Sequence, residues 1–154
     1  MAVEVGDTAP DFTLVDQDRQ KVTLSSFRGE KNVLLVFIPF AFSGVCRGEL
    51  CEVRDNIAQY RNERTEVVVV TVDSMFVHKA WADEEGFGFP MLADFWPHGE
   101  TAKAYGVFND VMGMAERGTF LVDKEGVVRF AETVEGPVAR DQTAWRKAIA
   151  EVGA

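Results

Sequence analysis

The segment Asn32-Val33-Leu34-Leu35-Val36-Phe37-Ile38-Pro39, followed by Phe40-Ala41-Phe42-Ser43-Gly44-Val45-Cys46, decides how this chain is read. Its first eight residues form a continuous apolar run, the pattern of a strand covered on both faces. Pro39 closes the run, because it lacks an N–H and its φ is fixed. After Gly44 the apolar side chains recur as Leu50, Val53, Ile57 and Tyr60, a helical spacing, with Arg54, Asp55 and Asn62 on other faces. Cys46 therefore falls at the opening of an amphipathic helix. Unpaired amide N–H groups and the positive dipole end favour thiolate over thiol there, which suits a nucleophile.

The rest of the chain extends this strand–loop–helix unit. Residues 12–14 and 21–24 flank the turn-prone Asp16-Gln17-Asp18-Arg19-Gln20 and predict a β-hairpin. Residues 66–72 predict a second fully buried strand, and 76–85 a helix ended by Gly86. Met91 and Leu92 fall in a short strand, and residues 101–105 in a short helix. Residues 119–122 and 127–133 are separated by Asp123-Lys124-Glu125-Gly126, a hairpin signal with glycine placed for a positive φ. Residues 139–152 predict a closing amphipathic helix carrying Trp145 and Ile149. Repeats, linkers and low-complexity tracts are absent from the sequence. The order βαβ, then α, then ββα, predicts an α/β, thioredoxin-like fold: a mixed central sheet flanked by helices, with an added N-terminal hairpin.

Composition narrows the function. A chain of 154 residues, 47% hydrophobic and 27% charged, suits one domain spanning residues 1–154. The net charge of −9 has the wrong sign for a nucleic acid or an anionic membrane. No apolar run approaches the ~20 residues of a membrane-spanning helix. The start, Met1-Ala2-Val3-Glu4-Val5-Gly6-Asp7, lacks the basic and apolar regions of a signal peptide, so a cytoplasmic location is expected. In a reducing compartment the only two cysteines, Cys46 and Cys51, point to redox or catalytic chemistry rather than to a structural staple. His78 and His98 could join them in a metal site, but no short metal-ligand spacing is present; solvated or hydrogen-bonded histidines are expected instead. The glycines form no phosphate-binding fingerprint. Phe40, Phe42, Trp81, Phe87, Phe89, Phe95 and Trp96 are expected mostly in the core.

Pro39-x-x-x-Ser43-x-x-Cys46, together with Arg117-Gly118-Thr119-Phe120 opening a later strand, resembles the active-site signature of the peroxiredoxins. Ala9-Pro10-Asp11-Phe12 and Tyr105-Gly106-Val107 extend the resemblance over nearly the whole chain. Asp94-Phe95-Trp96-Pro97-His98-Gly99 and Ala104-Tyr105-Gly106-Val107-Phe108-Asn109 resemble most closely the actinobacterial alkyl hydroperoxide reductase E-type group. The resemblance implies a thiol-dependent peroxidase with Cys46 as the peroxidatic residue. It also implies a homodimer and a thioredoxin-type, low-molecular-weight thiol or mycothiol-linked reductant. No metal, haem or flavin is implied, since sulfur carries the electrons.

Each motif residue has a role under this reading. Arg117 would hold the thiolate and orient the peroxide as a permanent cation with several donors; otherwise it is an exposed strand-end arginine. Ser43 would hydrogen-bond the peroxide or thiolate, or serve as a plain helix N-cap. Pro39 would end the strand, and the resemblance adds shielding of Cys46. The amides of Val45 and Cys46 would donate to the peroxide. Glu49, one turn after Cys46, would steer Arg117 by an ion pair or lie solvated.

Cys51 resembles the second cysteine of the bacterioferritin-comigratory, Q-type peroxiredoxins, five positions after the first. A 100° step places Cys51 roughly 140° from Cys46, toward the polar side of the helix. In an intact helix their Cα atoms would lie about 8.6 Å apart, whereas a disulfide needs them within ~7 Å. A Cys46–Cys51 bond would therefore require the first turns to unwind. The alternatives are a surface cysteine with recycling by an external thiol, a general disulfide reductase, or a non-catalytic interaction domain. A reductase would want Cys-x-x-Cys and would leave Ser43 and Arg117 without a role.

Overall fold

The structure, a computed structural model, describes residues 2–153. Met1 and Ala154, the ends of the expected domain, lie outside the described residues. The predicted N-terminal hairpin is present as β1 (Thr13–Val15) and β2 (Lys21–Thr23), paired antiparallel. The apolar run becomes β3 (Asn32–Phe37), followed by α1 (Gly44–Asp55), β4 (Thr65–Thr71) and α2 (Met75–Glu85). Then come β5 (Met91–Ala93), α3 (Glu100–Ala104), the small hairpin β6 (Phe108–Asn109) and β7 (Met114–Ala115), β8 (Arg117–Val122), β9 (Val128–Val134) and α4 (Gln142–Gly153).

The main sheet has the order β5-β4-β3-β8-β9. β3 runs parallel to β4 and β4 to β5, whereas β8 is antiparallel to both β3 and β9. This is the expected mixed, thioredoxin-like sheet. β3 is its centre: Val36 pairs with Val69 of β4 on one side and with Thr119 of β8 on the other. Alternation along the pleat divides β3 between two cores. Leu34, Val36 and Ile38 pack with Cys46, Leu50 and Val53 of α1, Trp81 of α2, and Trp145 and Ile149 of α4. Val33, Leu35 and Phe37 pack on the other face with Phe12, Leu24, Ala102 and Tyr105.

Two helix boundaries differ from the pattern by more than one residue. The stripe Leu50, Val53, Ile57, Tyr60 predicts one continuous helix, but α1 stops at Asp55 and Ile57 lies in a short 3-10 turn (Ile57–Gln59). Asn56 is the cause: its side-chain amide bonds the Glu52 carbonyl and its backbone leaves the helical region, the competition for backbone partners typical of asparagine. α4 begins at Gln142 rather than at residue 139, because Asp141 Oδ1 accepts the Thr143 N–H and caps the helix there. Gly86 ends α2 with φ 74°, a left-handed cap, as its position predicts. The β6–β7 hairpin was not legible; Asn109 Oδ1 closes it by accepting from Val111 and Met112 N–H.

The aromatic expectation divides. Trp81, Phe87 and Phe89 are buried, but Phe40, Phe42, Phe95 and Trp96 are exposed. No helix among the described residues is long and apolar enough to cross a membrane.

Candidate active site

The site forms where β3 ends, α1 begins and β8 begins. Ser43 is the residue before α1, with extended φ and ψ, and its carbonyl accepts the Arg47 N–H. Its hydroxyl makes no bond to the helix start. It donates to the Phe40 carbonyl at 2.8 Å and closes its own loop. The expected side-chain N-cap is therefore not formed, and the first-turn amides of Val45 and Cys46 are not occupied by Ser43 Oγ. Cys46 lies in the first turn, fully buried as a free thiol. Pro39 is half-buried at the end of the β3 run.

The connecting loop is held from outside. Ala41 N–H donates to Asp73 Oδ2 at 2.7 Å, Thr71 Oγ1 donates to the same oxygen, and His78 Nε2 lies 2.6 Å from Thr71 Oγ1. Because the Thr71 proton goes to Asp73, the hydroxyl accepts from an Nε2–H tautomer of His78. Desolvation pushes the His78 pKa down to about 4, so the ring is neutral. Phe42 adopts φ 66°, a left-handed conformation uncommon for an aromatic residue, and lays its ring on Trp81 with centroids 5.7 Å apart. His98 bonds the Gly113 carbonyl, and among the described residues no group of three His, Cys, Asp or Glu side chains converges to hold a metal.

One turn after Cys46, Glu49 is buried, and this decides between its two readings: it is an ion-pair partner, not a solvated glutamate. Its Oε1 accepts from Arg117 Nη1 at 2.8 Å and from Arg140 Nη2 at 2.8 Å. Its Oε2 accepts from Arg140 Nε at 2.9 Å and from the Arg140 backbone N–H at 2.8 Å. Burial opposes ionisation, but the hydrogen bonds and charge of Arg140, joined by the charge of Arg117, win and hold the carboxyl below its ordinary range. Arg117 is likewise buried rather than exposed at a strand end, and its Nε donates to the Gly136 carbonyl at 3.2 Å. These two bonds leave three of its five N–H donors for other acceptors.

Arg140 is the residue that sequence reading missed. Its Nη1 donates to the carbonyls of Phe37 at 2.8 Å and Gly118 at 3.1 Å, joining the end of β3 to the start of β8. Its guanidinium carbon sits 5.3 Å from the Trp145 ring centroid. Gln142 Nε2 bonds the Glu49 carbonyl, and Gln142 Oε1 accepts from Tyr60 OH. The only signal was a cation in the short Gly136-Pro137-Val138-Ala139 approach to α4, which reads equally as a frayed helix end. One carboxylate against two guanidinium groups leaves the buried cluster with an excess positive charge one turn from Cys46. Val45, Gly48, Glu49, Glu52, Ala139, Arg140 and Gln142 line a depression of about 220 Å³ over it.

Cys51 is half-buried, packed in part against the larger core cluster, with the charged end of α2 beside it. Its thiol donates to Glu85 Oε2 at 3.4 Å, at the end of α2. Burial and that bond push the Cys51 thiol up. Both cysteines are free thiols within the one helix α1.

Comparison with known proteins settles the family. The model of the AhpC/TSA family matches residues 5–131. The chain belongs to that family. Its curated relatives include alkyl hydroperoxide reductase E of Mycobacterium tuberculosis, 51% identical over 152 residues and covering 99% of both chains. Among solved structures, the reduced 2-Cys peroxiredoxin of Plasmodium vivax superposes with a TM-score of 0.85 at 26% identity, covering 97% of this chain and 96% of that one. Peroxidoxin BcpB of Mycobacterium tuberculosis gives 0.83 at 28% identity, covering 97% and 96%. The protein is a peroxiredoxin-type enzyme, as the Pro39–Ser43–Cys46 motif implies.

Proposed function

We propose that this peroxiredoxin reduces hydrogen peroxide and organic hydroperoxides through Cys46. The carrying observation is a thiol in the first turn of α1, one turn from the buried Glu49–Arg117–Arg140 cluster with its excess positive charge. The Cys46 thiolate attacks the terminal peroxide oxygen. The S–O bond forms, the O–O bond breaks, and the leaving oxygen takes a proton and departs as water or an alcohol, leaving a sulfenic acid. The remaining Arg117 donors and the Val45 and Cys46 amides stabilise charge on the peroxide oxygens. Ser43 joins them when its hydroxyl turns from the Phe40 carbonyl, and Pro39 limits access of water. A peroxide-consumption assay coupled to dithiothreitol tests the reading. Cys46→Ser abolishes turnover; unchanged turnover would sink it.

For the second step we assign Cys51 as the resolving thiol, giving a Cys46–Cys51 disulfide reduced by a thioredoxin-type protein. The alternative, direct recycling of Cys46 by an external thiol or a mycothiol-linked system, is favoured by the Cys51–Glu85 bond, which keeps Cys51 protonated. Mass spectrometry of peroxide-treated protein separates them: a linked 46–51 peptide supports resolution, whereas sulfenic acid or a mixed disulfide at Cys46 alone rejects it. Residues 1–154 act as one cytoplasmic domain. The exposed Phe76, Phe95 and Trp96, beside an apolar depression of about 290 Å³, support a homodimer, which light scattering on purified protein checks.

A further inference from the structure

Beside α1, near the residue that reacts, a second charged cluster stands outside the catalytic one. Glu85 is the last residue of α2, where a carboxylate opposes the negative end of the helix dipole. It is kept there by α1. Its Oε1 accepts from Arg47 Nε at 2.6 Å, and its Oε2 accepts from the Cys51 thiol at 3.4 Å. Arg54 Nη1 bonds the Glu85 carbonyl and lies 3.7 Å from Oε2. Glu85 thus fastens three successive turns of α1 to α2: its carboxylate holds positions 47 and 51, and its carbonyl, with a longer ion pair, holds position 54. Arg47 directly follows Cys46, and Cys46 is fully buried in this arrangement.

A buried sulfenic acid is out of reach of any thiol, whether Cys51 or an external reductant. Both routes require the first turns of α1 to loosen, and loosening them separates Arg47 and Cys51 from Glu85. We propose that Glu85 is a positioning residue that latches α1 closed, delaying reduction of oxidised Cys46 and so setting how much of it proceeds to sulfinic acid. The reduction itself is balanced without another oxidant. A thiolate attacks the Cys46 sulfur, the S–S bond forms, the S–O bond breaks, and hydroxide leaves and becomes water on taking a proton. The latch also restrains Cys51 chemically. The groups facing its sulfur are Glu85 from α2 and Arg47 and Arg54 from α1; of these Glu85 provides the hydrogen bond that keeps the proton on sulfur. Arg47 in turn holds the Glu85 carboxyl below its ordinary range, so the latch is charged at neutral pH.

The inference rests on peroxide oxidation of Cys46, and the test separates the two. Full-length wild type, Glu85→Ala, Glu85→Gln and Arg47→Gln are each given hydrogen peroxide. Intact-mass measurement follows loss of the Cys46 thiol, its reduction by added dithiothreitol, and sulfinic acid formed in excess peroxide. All four are oxidised at Cys46 at rates within about twofold. In Glu85→Ala the oxidised form is reduced about fivefold faster, as expected on losing a partly exposed ion pair and a hydrogen bond, and its sulfinic fraction falls. Arg47→Gln gives a smaller change in the same direction, which keeps the test alive if Glu85→Ala folds poorly. In Glu85→Gln, alkylation of Cys51 by iodoacetamide moves to lower pH, a change that a purely structural role of the side chain does not produce. Wild-type reduction rates and sulfinic fractions in Glu85→Ala and Arg47→Gln, with Cys46 still oxidised normally, overturn the latch. Failure of wild type itself to be oxidised at Cys46 overturns the peroxidase reading and the latch with it.

Discussion

Two sides of α1 carry the same ingredients in different solvents. On one, Glu49 binds Arg117 and Arg140 with all three side chains buried. On the other, Glu85, its side chain 9% exposed, binds Arg47 and Arg54, whose side chains are 59% and 33% exposed. A carboxylate with two arginines is a fixed scaffold in the first setting, because separating buried charges leaves each without water or partner. In the second setting water reaches both arginines and replaces much of what they give up, so the contact is weaker and reversible. The proposed mechanism uses both: an immobile charge where peroxide would bind, and a fastening that would let go afterwards.

The comparison breaks first at the scaffold. Glu49→Ala, by stranding Arg117 and Arg140, is expected to lower unfolding free energy by about 3–5 kcal/mol in a denaturant titration. The Glu85→Ala melting curve should stay close to wild type. Equal losses at the two sites would mean that burial does not separate them.

Acid provides a second, smaller effect that acts on the interior rather than on the latch. His78 is buried neutral with its pKa pushed down to about 4, so the unfolded chain binds the extra proton. The stability this contributes is present above pH ~6.5 and lost as pH falls toward 4, by about 3 kcal/mol in total. Glu49, held low, adds a loss only below the ordinary carboxylate range, as it becomes protonated. Denaturation midpoints from pH 7 to 4 should show the fall, and His78→Gln should flatten the part above pH 5. An unaltered slope in that variant would remove His78 from the account.

The smallest expected effect is salt. Raising ionic strength from 0.1 M to 1 M shortens the Debye length from about 10 Å to about 3 Å. Amide hydrogen exchange across residues 44–51 should quicken by about two- to threefold, with exchange at Thr119 and Phe120 in β8 unmoved.

The contrast also explains what could be read from the chain. β3 and β4 were legible because a strand buried on both faces must be apolar throughout, and Cys46 was legible because the strand, Pro39 and Gly44 place it at a helix start. Arg117 came with the motif. Arg140 did not, since a buried cation carries no local pattern: what buries it is Glu49, 91 positions earlier in sequence. The partial cover over Cys51 was not legible for a related reason. Helical periodicity locates a face relative to its own axis, but only the packing of α2 turns that polar face into a seam. Ser43 was correctly located at the head of the helix, yet its hydroxyl turns back to the Phe40 carbonyl, a choice no composition reveals.

Phe42 and Arg140 have an optical consequence. The Phe42 ring lies on Trp81, and the Arg140 guanidinium faces Trp145. Trp96, 81% exposed, senses neither. Each buried indole thus neighbours one of the two moving or charged parts of the site, one beneath the loop that leads to Cys46 and one beneath the scaffold. The chain carries two internal fluorophores and a solvent reference, so loop opening and scaffold rearrangement can be followed separately in unlabelled protein.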